Sequence, residues 1–157
     1  MKLQSLLKPD AFEHLLIAPT TEAHDALAAF GGDAKNNATV RFLRGPKCAD
    51  RAGFFDETAA ALQFPIHFGE NWDAFNDVFG DLPHIATANL VVVVLEADSF
   101  LSSPKDALTN FRSIAKEAAS HLAKGGKGRS ARHLHMVYQA ETEAGLATRL
   151  PGVGKVG

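Results

Sequence analysis

Phe64-Pro65-Ile66-His67-Phe68-Gly69-Glu70-Asn71-Trp72-Asp73-Ala74-Phe75-Asn76-Asp77-Val78-Phe79-Gly80-Asp81-Leu82 is the stretch from which the rest of the chain can be read. Pro65 and Gly69 punctuate a loop, and the residues that follow predict a helix of about three turns. Set about 100° apart, Trp72, Phe75, Val78, Phe79 and Leu82 fall in one sector. Glu70, Asp73, Asp77 and Asp81 fall in another. One face is therefore expected to pack and the other to stand free as a row of carboxylates. Asn71 is placed to cap the helix, which puts Asp73 in the first turn, where the helix dipole favours a negative charge.

On either side of this stretch the hydrophobic period changes. Thr39 to Leu43 alternates and is rich in β-branched and aromatic residues, which predicts a strand ended by Gly45-Pro46. Asp50 is placed to cap a helix from about Arg51 to Leu62, with Phe54, Phe55, Thr58 and Leu62 at helical spacing. Leu90 to Leu95 is uniformly apolar, the pattern of a strand covered on both faces in a parallel sheet. Ser102-Ser103-Pro104 opens a long helix to about Ala123, with Leu108, Phe111, Ile114, Ala115, Ala118 and Leu122 on one face. His133 to Tyr138 reads as another strand. Strands alternating with helices predict an α/β fold, a small three-stranded parallel sheet flanked by helices, over residues 38–140.

The remaining residues read as additions to that unit. Residues 1–37 are expected to be a helical extension. Leu3, Leu6, Leu7, Phe12, Leu15, Leu16 and Ile17 suggest short amphipathic helices, and Glu22 to Phe30 another, stopped by Gly31-Gly32. Residues 141–157 have few apolar side chains and read as a tail.

At 157 residues, 46% of them hydrophobic, the chain has the size of one domain with a real core. Its longest aliphatic run, Leu90 to Leu95, is far too short to span a bilayer, and Lys8, Asp10, Glu13 and His14 interrupt any signal-peptide core. Cys48 is the only cysteine, which excludes an intrachain disulfide and a zinc site built on several thiolates. A cytoplasmic location is expected. The net charge of −2 conceals a strong asymmetry. From Ala52 to Pro104 there is no Lys or Arg, yet that span holds Asp56, Glu57, Glu70, Asp73, Asp77, Asp81, Glu96 and Asp98. Segregated acids of this kind set up a directional field.

The segment from Phe64 to Leu82 resembles the hallmark of the barstar family, intracellular inhibitors of secreted ribonucleases. The match falls at Pro65, Phe68, Gly69, Asn71, Asp73, Ala74 and Asp77. The order of elements from about Thr39 to Tyr138 agrees with the family as well. The resemblance implies that residues His67 to Asp77 enter a ribonuclease active site. There the carboxylates would meet the Lys, Arg and His side chains that otherwise hold RNA phosphate. Asp77 is the first residue so implied and Asp73 the second, followed by Asn76, Glu70, His67 and Gly69. A further acidic contact is expected on the long helix, where Glu117 is the candidate and Ser113 lacks the charge. Two slots depart from the family. Asn76 stands where an aromatic residue often precedes the second Asp, and His67 stands where Tyr is common. The binding mode is thus expected to be shared and the target to differ.

Other chemistries fit the sequence less well. Acid–base catalysis needs two carboxylates in different environments, whereas these acids share one face. Asp73 and Asp77 one turn apart, His67 nearby, and His133 with His135 on one strand face could suggest a metal. The His pair reads instead as a half-exposed surface feature. Lys124 to Arg132 is basic and Gly-rich but lies between a helix and a strand, the wrong order for a P-loop, and reads as a solvated connector. No enzyme activity, cofactor, metal or membrane contact is expected. The partner is expected to be a basic, barnase-like extracellular ribonuclease or a ribonuclease toxin, bound one to one, with the chain acting as its immunity protein. The alternative is a barstar-like regulatory or nucleic-acid-associated protein that inhibits no nuclease and works through the basic loop.

Overall fold

The computed structural model describes residues 1–126 and 128–156. Its frame is a sheet of four parallel strands, β1 (Glu13–Ile17), β2 (Ala38–Arg44), β3 (Asn89–Leu95) and β4 (His133–Ala140), in the order β1-β4-β3-β2. Around it lie helices α1 (Thr20–Gly32), α2 (Arg51–Ala61), α3 (Trp72–Phe79), α4 (Ala107–Lys124) and the short α5 (Leu146–Arg149), with short 3-10 turns that include Gln4–Leu7.

The uniform run of β3 follows from its position. Leu90, Val92 and Val94 join a core that includes Phe54, Phe75 and Phe111 of α2, α3 and α4. Val91 and Val93 point the other way, into a second core with Leu27 and Phe30 of α1 and with Leu3 and Leu6. A strand packed on both faces has no use for polar residues. On the side of α1 the helix lies close to β2. A Cβ on Gly31 would come within 2.8 Å of Val40 Cγ2, so this position accepts only hydrogen without a shift.

Three strands were expected and four are present. The fourth is β1, whose Leu15, Leu16 and Ile17 read as helix because five residues cannot distinguish the two periods. Its partner β4 pairs His14 with Val137 and Leu16 with Gln139, contacts that no local pattern announces. The stretch 1–37 therefore holds an integral strand as well as the expected helix α1, which runs through Gly31 and Gly32 rather than stopping before them. Residues 141–157, read as a tail, bury Leu146, Leu150 and Val156. They also bond the outer edge of β1: Leu15 N–H donates to Gly154 O at 2.8 Å and Val156 N–H to Leu15 O at 2.8 Å. The tail thus occupies the outer edge of β1 at its middle residue.

The other elements lie near their expected bounds. Asp50 caps α2 by accepting from Gly53 N–H at 2.8 Å. The long helix α4 begins at Ala107, later than Ser102, and buries Leu108, Phe111, Ala115, Ala118 and Leu122. The central helix α3 has eight residues, a little over two turns and not three. Gly80 ends it, and Leu82 adopts a left-handed backbone (φ 39°) that turns its side chain into the core.

Candidate acidic binding surface

Helix α3 is locked by what lies beneath it. Phe75 is wholly buried, stacks on Phe79 with ring centroids 4.9 Å apart, and meets Phe54 edge-on at 5.2 Å. Trp72 is half-buried against Phe55 at 5.1 Å, so the aromatic face is core, as expected. At the N-terminus Asn71 does two jobs. Its Oδ1 accepts from Ala74 N–H at 2.9 Å and its Nδ2 donates to Gly69 O at 3.1 Å. The cap thereby ties the helix to the loop before it. Gly69 serves this tie sterically: a Cβ there would lie 3.2 Å from Asn71 Nδ2.

On this base Asp73 and Asp77 stand exposed, one turn apart on the outer face. His67 is exposed in the preceding loop. Asn76 is half-buried and, with Asp77, Gly80, Asp81 and His121, lines a cleft of about 220 Å³ at the C-terminal end of α3. Glu117 lies one turn before His121 on α4, with its carboxylate 3.8 Å from the imidazole. Glu70 is separate from this group. It flanks Asp56 in another recess with Arg51, Asn71 and Trp72, and the hydrogen bond shared with Asp56 raises its pKa.

The acidic row is interrupted at Asp81, which forms an ion pair with Arg129. Arg132 is buried, and its guanidinium donates to the carbonyls of Leu82 (2.6 Å), Asp81 (2.7 Å) and Ile85 (3.0 Å). The segment Lys124 to Arg132 is thus no solvated connector at its C-terminal end. It clasps the exit of α3, a role hidden from sequence because the acceptors are backbone carbonyls some fifty residues away. Lys127 lies outside the described residues.

The histidines also differ from expectation. His135, read as half-exposed, is buried, and its Nδ1 lies 3.2 Å from Nε2 of buried His14 on β1. The unforeseen strand covers it. Burial, with the neighbouring His14 charge second, lowers its pKa to about 4. Among the described residues no group of three or more His, Cys, Asp or Glu could hold a metal ion, and no helix is long and apolar enough to cross a membrane. Cys48 is buried, and burial pushes its thiol up to about 12, far from the reactive range.

Among solved structures, the chain is similar to the Aeropyrum pernix ORC2 protein in its ADP form, with a TM-score of 0.64 and 12% identity. The match covers 93% of this chain and 42% of that one, so the chain spans less than half of its length. At this identity the likeness is one of fold. Here the connection from β1 to α1 is Ala18-Pro19, without the glycine-rich run that a phosphate-binding loop requires. No curated protein matches the sequence. The pattern of the family described as Barstar (barnase inhibitor) matches residues 38–139, which take in β2, β3, all but the last residue of β4 and the whole acidic surface. The chain belongs to the barstar family.

Proposed function

We propose that the protein is a cytoplasmic, non-enzymatic inhibitor of a basic ribonuclease, secreted or toxin, which it binds one to one. The observation that carries this reading is the pairing of exposed Asp73 and Asp77 with a helix underside fixed by Phe75 and Phe79. Carboxylates on a rigid helix lose little freedom when bound, so their spacing can imitate consecutive phosphates. Opposite Arg and Lys in a concave cationic cleft they form charge-assisted bonds. The field of the Lys- and Arg-free span from Ala52 to Pro104 steers the encounter, for which the barnase–barstar pair is the reference case.

In this reading Asp77 and Asp73 supply the central contacts, with Asn76, His67 and Glu117 around them, Glu70 at the margin beside Asp56, and Gly69 holding the loop in shape. The two carboxylates share one exposed face, which suits binding of cations better than the unequal pair that acid–base chemistry requires. The test is to titrate a microbial guanyl-specific ribonuclease with the protein and follow RNA cleavage. Inhibition should saturate at one equivalent, weaken as salt rises, and fall sharply in Asp77→Ala with folding unchanged. Undiminished cleavage at a large excess of wild-type protein, at low salt and across a panel of basic ribonucleases, would defeat the proposal.

A further inference from the structure

The loop ahead of α3 displays an aliphatic side chain that the acidic surface does not account for. Ile66 is fully exposed, at 106% of its reference area. The other exposed large hydrophobic among the described residues is Met1, at the chain start. Ile66 occupies a corner of the turn Pro65–Phe68, closed by Phe68 N–H donating to Pro65 O at 2.9 Å. Such corners ordinarily take Gly, Asn, Asp, Ser or Pro, and a β-branched aliphatic residue there gains nothing for the fold.

The turn cannot draw Ile66 inward. Phe64 on one side is buried, and Phe68 on the other packs on Phe64 at 5.1 Å and on Phe55 at 5.8 Å. With both flanking rings held by the core, Pro65, Ile66 and His67 must project. At its ends the chain turns through Gln63 and Glu70, both with left-handed backbones (φ 53° and 51°). The result is an apolar tip held out between two packed phenylalanines, immediately before exposed Glu70 and Asp73.

We propose, on the basis of the inhibitor reading above, that Ile66 is an apolar anchor that enters a nonpolar niche at the rim of the partner's cationic cleft. The charges beside it select that occupant. Carboxylates next to the tip repel an anionic lipid surface and a second copy of the same acidic face, and they attract a basic protein. Preformed projection means that little ordering accompanies docking.

The test measures binding of a microbial guanyl-specific ribonuclease to wild type, Ile66→Ala, Ile66→Leu and Asp77→Ala at low and high salt. Ile66→Ala should weaken binding roughly ten- to a hundred-fold, by the same factor at both salt concentrations, with thermal unfolding unchanged. Ile66→Leu should keep most of the affinity, and the loss in Asp77→Ala should shrink as salt rises. If Asp77→Ala weakens binding and Ile66→Ala does not, the anchor is wrong and the inhibitor reading stands. If wild type binds none of a panel of basic ribonucleases at low salt, both fall. A wild-type dimer in sedimentation that Ile66→Ala dissociates would make a second copy the occupant and overturn the proposal.

Discussion

Arg112 on α4 grips Glu13 on β1 through two hydrogen bonds of 2.8 Å each. Tyr138 Oη donates a third, 2.9 Å, to the same carboxylate. The pair is largely shielded, with side-chain exposures of 27% and 13%, and it fastens the strand before residue 38 to the longest helix of the family domain. Removing one partner of such a pair leaves the other charged and unsatisfied, which costs more than the pair itself contributes. Glu13→Ala should lower stability by about 2–3 kcal/mol in urea unfolding. The double variant Glu13→Leu with Arg112→Met should lose less. A single-variant loss below about 0.5 kcal/mol, the scale of an exposed pair, would show that the contact does not fasten β1.

What could be read from sequence was set by the range over which each feature acts. The Asn71 cap, the Asp50 cap and the two-faced burial of β3 are written within a few residues of themselves. Strand β1 is not: five residues with mixed polarity became a strand only because β4, 121 residues on in the His14–His135 pair, lies beside it. The acidic face was legible as a pattern, but two of its limits were not. Nothing local shows that Arg129 occupies Asp81, or that Glu70 turns toward Asp56 and away from the cleft. Ile66 was visible as a letter in the loop; its full exposure needed the two phenylalanines to be placed.

Arg132 should prove to be a structural residue of the binding surface. Its three carbonyl contacts hold the chain where α3 ends and leads back toward β3. Arg132→Met keeps much of the volume but takes this donor from the carbonyls of Asp81 and Ile85 and leaves Leu82 O with Ile85 N–H alone, a loss of about 2–3 kcal/mol by analogy with other charged hydrogen bonds. Amide exchange should rise first in residues 80–86, and ribonuclease binding should fall along with it. Exchange that rises uniformly across the protein would refute a local clasp.

Acid should act through the buried histidines. An unfolded His135 takes up a proton near pH 6.5, whereas the folded residue resists until about pH 4. Between those values the unfolded chain binds more protons, so stability falls as pH is lowered from about 6.5 and is fully present above it. His14 is lowered in the same direction, chiefly by burial. Asp10 and Glu13 oppose the shift of His14; Asp10 opposes that of His135, and His133 adds to it. The loss over this window should reach on the order of 2–3 kcal/mol. His135→Gln should flatten that limb of the stability–pH curve, and an unchanged limb would place the acid sensitivity elsewhere.

Target choice should reside at Asn76. Its half-buried side chain forms a wall of the 220 Å³ cleft beside Asp77, in the slot where the family pattern often has an aromatic ring. A ring there would cover the cleft mouth and present flat apolar area next to the central carboxylate, the composition of an interface hot spot. The small amide leaves that volume open, and on the inhibitor reading a larger group of the partner would fill it. Asn76→Trp should therefore tighten binding to a barnase-type ribonuclease by roughly tenfold, an increment of about 1.4 kcal/mol. On the inhibitor reading it should weaken binding to a ribonuclease whose side chain uses that volume, because a filled cleft would exclude it. Thermal unfolding should change little, since the site opens to solvent. If both affinities move together, or neither moves while Asp77→Ala still weakens them, Asn76 does not discriminate between ribonucleases, and the difference between targets must lie in the His67 loop.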